Sequence, residues 1–217
     1  MNSFFTQKYD KIISIGSNCY PKLFIKLILK PSYGETELFD YIGTSMWAIN
    51  ALLRNNFQDM LIDEEYTLLP ILKDWGPIVT NKRYHLRFAH DLLTVNAAKS
   101  PVFKSKILRR IDRFKTILQT SKNLLFIRYQ ENLDRMIHYH TTNTTEYEEL
   151  TIFLSLLKSI YNCENVTILY INAEKDGWND SHDILSIKID TLYHKSQTVH
   201  NTLQKLFEKK NIIDLLK

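Results

Sequence analysis

Four short runs along the chain are apolar nearly throughout instead of alternating: "KIISI" (11–15), "NLLFIRY" (123–129), "VTILYIN" (166–172) and "ILSIKID" (184–190). Runs of this length, rich in Ile, Leu and Val, suit strands covered on both faces. Other segments carry the helical period. Across 102–120, Phe103, Ile107, Ile111, Phe114 and Leu118 fall on one face; across 146–161, Tyr147, Leu150, Phe153, Leu154, Leu157 and Tyr161 do the same. Glu146, Glu148 and Glu149 sit in the first turn of the second helix, where the dipole favours acids. Ser196 stands where it would cap a helix carrying Val199, Leu203, Leu206 and Phe207. Strand–helix–strand–helix order implies right-handed crossovers and a parallel sheet. The expectation is one α/β domain over 1–217, a three-layer sandwich with a mostly parallel sheet, Rossmann-like or esterase-like.

Residues 31–100 are less regular. A helix is expected from Thr44 to Arg54, turns at Pro70 and Gly76-Pro77, and a strand near 84–89. An excursion of this length after the first strand–helix unit often builds one wall of a site.

Composition narrows the class. With 44% apolar residues over 217 positions, and only five glycines and five prolines, the chain can bury a sizeable core and is not linker-like. The net charge of +4 comes mostly from scattered lysines. Its densest basic stretch, "KSKILRRIDRFK", lies on an amphipathic pattern and reads as a solvated helix face, not a nucleic-acid footprint. Two cysteines, Cys19 and Cys163, make neither a disulfide framework nor a metal site. No apolar run reaches the length of a membrane span, and the N-terminus lacks the pattern of a secretory leader. A cytoplasmic protein in a reducing compartment is expected. P-loop, G-x-G-x-x-G, G-x-S-x-G and zinc spacings are absent, so no cofactor or metal is expected.

The stretch that carries chemistry is "KIISIGSNCYPKLFIKLIL" (11–29). Gly16 permits a tight turn after the strand, and Pro21 suits the first turn of a helix. Cys19 then lies at a helix N-terminus, where unpaired amides favour a thiolate, and amides around Ser17, Asn18 and on to Tyr20 offer an oxyanion site. A small buried thiol is as good a reading from local physics alone. A cysteine nucleophile needs a base, normally histidine. Of seven histidines, His90 in "RFAHDLL" is the best placed, with Asp91 beside it as an orienting acid or a cap. Their side chains point apart on a strand, so direct contact requires a turn there. His138 and His140 form a weak His-x-His signal. His182 sits in a turn-like block, and His85, His194 and His200 read as surface residues. Asp40 in "LFDYIG" either caps a turn or orients a site. Arg128, ending its strand, binds an anionic substrate group or makes a structural ion pair.

"YDKIISIGSNC", "LFDYIG", "FAHDLL", "RRIDRF" and "LLFIRY", in that order from about residue 8 to 130, resemble the family described as "putative papain-like cysteine peptidase". The resemblance implies Cys19 as nucleophile and His90 as base, with Asp40 or Asp91 as orienting acid. Leu38 and Tyr41 depart from the family's proline and tryptophan in "LFDYIG". The buried strand before the cysteine is also similar to doubly wound esterase-like folds and to polysaccharide-biosynthesis proteins with a Gly-Asn-Cys motif. Hydrolysis of a peptide or small-molecule acyl substrate through an acyl-enzyme is therefore expected. Acyl transfer, esterase chemistry or a non-catalytic α/β binding domain stand as alternatives.

Overall fold

The computed structural model describes residues 8–29, 35–72, 76–88, 92, 94–130, 144–172, 177–179, 183–189 and 201. It is a mixed α/β fold with two sheets. Four strands, β1 (Lys11–Ser14), β5 (Asn123–Tyr129), β6 (Asn165–Asn172) and β8 (Ile184–Lys188), pair parallel in the order β1-β5-β6-β8. The four apolar runs are these strands. A short β7 (Gly177–Asn179) adds antiparallel to β8 at one edge. Strand order advances in one direction, which leaves β1 at the far end from β7.

Alternate positions of the parallel strands meet different helices. Phe126 packs edge-on against Phe114 of α4 (Pro101–Thr120) and Phe153 of α5 (Glu146–Tyr161). On the other face Tyr129 meets Phe24 of α1 (Tyr20–Leu29). Helices thus cover both faces, which is why the strands are apolar on both. Each helix starts where the sequence has a cap: Ser100 takes the Phe103 amide for α4, and Thr145 with Glu148 closes a capping box for α5. The helix suggested after Ser196 lies outside the described residues.

The excursion is more ordered than its sequence suggests. It holds α2 (Met46–Arg54), capped by Ser45, and α3 (Val95–Lys99). Between them lies an antiparallel sheet of β2 (Tyr66–Leu72), β3 (Gly76–Asn81) and β4 (Leu86–Phe88). β2 contains Pro70 and β3 opens on Gly76-Pro77, residues that read as turns but are tolerated at strand ends and sheet edges. One buried polar contact ties the excursion to the main sheet's helices: Asn50 Nδ2 of α2 donates to Glu149 Oε2 (2.7 Å) and to Glu149 O (2.8 Å). Among the described residues no helix is long and apolar enough to cross a membrane.

Candidate functional site

The Cys19 turn begins where the sheet stops. Ile15 N still bonds Ile127 O (3.1 Å), continuing the β1–β5 ladder by one residue. Gly16 and Ser17 then both adopt left-handed backbone, at φ 69° and 68°. Gly16 needs its missing side chain as well as its freedom: a Cβ there would stand 2.3 Å from Thr44 Cγ2 and 3.5 Å from Arg128 Nη1. Ser17 reaches the same region with a side chain, and its buried hydroxyl has no hydrogen-bond partner among the described residues. Left-handed backbone costs a non-glycine residue about 1–2 kcal/mol, so neighbouring contacts hold this corner in place.

Asn18 starts the helix. Its Oδ1 accepts from Tyr20 N (2.8 Å), an Asx turn, and Cys19 O accepts from Leu23 N (3.1 Å) as the first helical bond. Cys19 is therefore the residue at the N-cap of α1, half-buried, with Pro21 in the first turn. The Tyr20 amide is committed to Asn18. The amides of Ser17 and Asn18 have no acceptor among the described residues, which leaves both open as candidates for an oxyanion site. Burial pushes the Cys19 thiol above its ordinary pKa, and a backbone hydrogen bond only partly opposes it. Desolvation is the larger influence and favours the protonated thiol.

Cys163 is the contrast. It is buried past the left-handed end of α5, its Sγ donates to Leu118 O (2.7 Å), and burial raises its pKa. That is a packing thiol.

The remaining candidates separate. Arg128 is fully buried; its Nε donates to Glu146 Oε1 and its Nη1 to Ile15 O, both at 2.7 Å. These contacts match the ion-pair reading and brace the strand end from which the Cys19 turn springs. Asp40 is also fully buried and closes its own turn by accepting from Glu37 N (2.7 Å). The same Oδ2 meets Lys22 Nζ at 2.7 Å, while Oδ1 has no hydrogen-bond partner among the described residues. Burial raises the Asp40 pKa, with Lys22 and Arg110 pulling the other way. His90 and Asp91 lie outside the described residues, as do His138, His140, His182, His194 and His200.

Sequence reading missed Lys22, one turn into α1 and 1% exposed, which also donates to Glu35 O (2.6 Å). It also read "KSKILRRIDRFK" as a solvated face above an apolar stripe, which Arg110 and Arg113 depart from. In the fold Arg110 is buried, and Arg113 bridges Glu35 (3.4 Å) and Glu37 (3.2 Å). A lysine inside an otherwise apolar helical run, "YPKLFIKLIL", was the available signal.

A second strand comes close to the cysteine turn. Gly43 and Arg87 of β4 exchange backbone hydrogen bonds of 3.0 and 2.9 Å. From the point where a Gly43 Cβ would stand, Arg87 Cδ and Ser17 O are each 3.6 Å away. The segment 42–44 is thus packed between β4 and the Gly16–Ser17 corner.

Residues 10–176 match the model of the family described as "putative papain-like cysteine peptidase", and the chain belongs to that family. No curated protein and no solved structure matches it.

Proposed function

We propose that this member of the family is a cysteine hydrolase working through an acyl-enzyme, with Cys19 as nucleophile and His90 as general base. The observation that carries the pairing is the Gly43–Arg87 bridge. It sets β4, which ends two residues before His90, alongside the corner that presents Cys19. A thiol whose pKa burial raises calls for a base that takes its proton during attack. His90 takes the Sγ proton as sulfur bonds to the carbonyl carbon, and the amides of Ser17 and Asn18 donate hydrogen bonds to the developing oxyanion. Collapse breaks the bond to the leaving group, which receives the proton from His90, and water then releases the acid by the same steps in reverse. Asp91 orients His90 in this reading. Asp40 acts at one remove, holding Lys22 and with it the first turn of α1. If an alcohol or amine replaces water, the same pair performs acyl transfer.

Iodoacetamide tests this. Near neutral pH Cys19 should alkylate faster than Cys163, and His90→Ala should slow Cys19 alone. Equal, slow rates at both cysteines overturn the proposal. The half-buried, raised thiol also favours a second reading, a non-catalytic domain, under which Cys19→Ser changes stability and leaves biological activity intact.

A further inference from the structure

The chain leaves two neighbouring strands in opposite directions beside Cys19. β1 is followed by α1, which covers the Tyr129 face of the sheet. Its parallel partner β5 is followed by α5, which covers the Phe126 face. Adjacent parallel strands whose next helices depart to opposite faces leave an opening between their carboxyl ends, the place where α/β sheets bind ligands. The Cys19 corner forms one side of this opening and the end of β5 the other.

Three buried hydroxyls with no hydrogen-bond partner among the described residues border it. They belong to Ser14, Ser17 and Tyr129, which are 1%, 6% and 1% exposed. Register puts two of them on one face. Ser14 pairs with Ile127, so Tyr129, two residues on, projects to the same side, under α1. There its ring packs on Phe24, at 6.5 Å between centroids, and on Tyr20, at 6.1 Å. Tyr20 directly follows Cys19. Burial, with Tyr20 adding to it, holds the Tyr129 hydroxyl well above its ordinary pKa, so it keeps a proton to donate. A buried polar group left without a partner costs about 1–3 kcal/mol, and folded proteins carry few of them without a use.

The charges around the opening set what can enter. Arg128 faces Glu146 and Lys22 faces Asp40, each at 2.7 Å, so both of these buried cations are already matched by an acid. An anion entering here would compete with those carboxylates after losing its hydration. A neutral carboxamide suits the place better. Its C=O can accept from the Tyr129 hydroxyl while its N–H donates to a serine oxygen, with aromatic rings on either side.

We infer that Tyr129 is a specificity-determining residue of the Cys19 site, its hydroxyl receiving an uncharged carboxamide group of the substrate. The inference rests on the acyl-enzyme reading for its use and not for the binding itself. Tyr20 is half-buried, so turning that one side chain opens the way from Cys19 to the Tyr129 hydroxyl.

The test uses the full chain carrying Cys19→Ser, titrated at neutral pH with acetamide and benzamide, and in parallel with acetate and benzoate. Carbon-13 shifts of the tyrosine rings follow binding, and Tyr129→Phe in the same background assigns the Tyr129 signal. Saturable binding of the amides is expected, with the Tyr129 ring shifting and the acids binding roughly tenfold more weakly. Tyr129→Phe should weaken amide binding by roughly fivefold to tenfold, the scale of one lost hydrogen bond. That variant should also melt no lower than its parent, because the hydroxyl it removes has no partner to lose. No saturable binding of either amide, or acids binding as tightly as amides, overturns the inference. So does unchanged amide affinity in folded Tyr129→Phe, the result expected if water alone satisfies the hydroxyl. A clear fall in melting temperature in Tyr129→Phe assigns the hydroxyl a structural role and overturns it too. Every sample lacks the Cys19 thiol, so failure of the acyl-enzyme reading, judged by alkylation, leaves this result standing.

Discussion

Replacing Lys22 by Met gives the sharpest view of what holds the start of α1. Lys22 and Asp40 are 1% and 0% exposed and meet at 2.7 Å. In Lys22→Met, Asp40 keeps the Glu37 amide as its one hydrogen bond among the described residues, since Oδ1 already has none. The turn from Glu35 also loses its anchor, the Lys22 bond to Glu35 O. Removing one partner of a buried pair costs about 3–5 kcal/mol, because an unpaired charge is left inside. Arg110 still faces Asp40 and softens the loss, so the lower part of that range is expected. For a chain of this size that corresponds to a fall in Tm of roughly 6–12 °C. Urea unfolding followed by circular dichroism measures it. The diagnostic arm is Lys22→Met with Asp40→Leu: with both charges gone, most of the loss should return, leaving the double variant more stable than Lys22→Met alone. A loss under about 1 kcal/mol in Lys22→Met, or a double variant that sums both single losses, refutes the reasoning.

Gly16→Ala should destabilise by about 2–4 kcal/mol, combining left-handed strain with overlap on Thr44, and urea melts would show it. A loss below about 1 kcal/mol would mean the corner adapts freely. Glu146→Gln should cost about 3 kcal/mol by leaving the buried Arg128 without its carboxylate, again by urea unfolding, whereas an exposed pair would cost under 1. Burial raises the pKa of both Glu37 and Asp40, so the folded chain keeps protons that the unfolded chain has released. Their contribution to stability therefore falls as pH rises from about 4, the ordinary carboxylate value, through their higher folded values. Asp40→Asn should make that slope shallower, and a slope identical to wild type would count against the assignment.

Much of the main sheet is legible because its strands are buried on both faces, and a continuous apolar run has few other uses. β5 and α5 fall on the residues that the pattern indicates. The Gly16 turn and the helix start at Cys19 are legible too, since glycine, asparagine and proline each act on the local backbone. The small sheet is not. Leu68 of β2 is half exposed, Pro70 interrupts the run, and β3 begins with a dipeptide that signals a turn. The buried ion pairs are illegible for a different reason. Lys22 looks like a surface charge, and Arg128 like an ion pair of unknown partner, until Asp40 and Glu146, each 18 residues away, are brought to them by the fold. The state of Cys19 likewise depends on burial, which local sequence does not encode.

Arg128 imposes an order in time on the cysteine corner. The Ile15 carbonyl, the last peptide before the left-handed turn, is gripped by a side chain 113 residues later, itself held by Glu146 after a further 18. A ribosome therefore releases Cys19 long before the residues that brace its corner exist. The thiol emerges on an unbraced segment, and Arg128 cannot be clamped between Ile15 and Glu146 until Glu146 has been made. Contacts closed over such long loops form late. Any fragment ending before Glu146 carries the cysteine without the clamp behind its corner, so any cysteine chemistry that depends on that corner waits until Glu146 is made and docked.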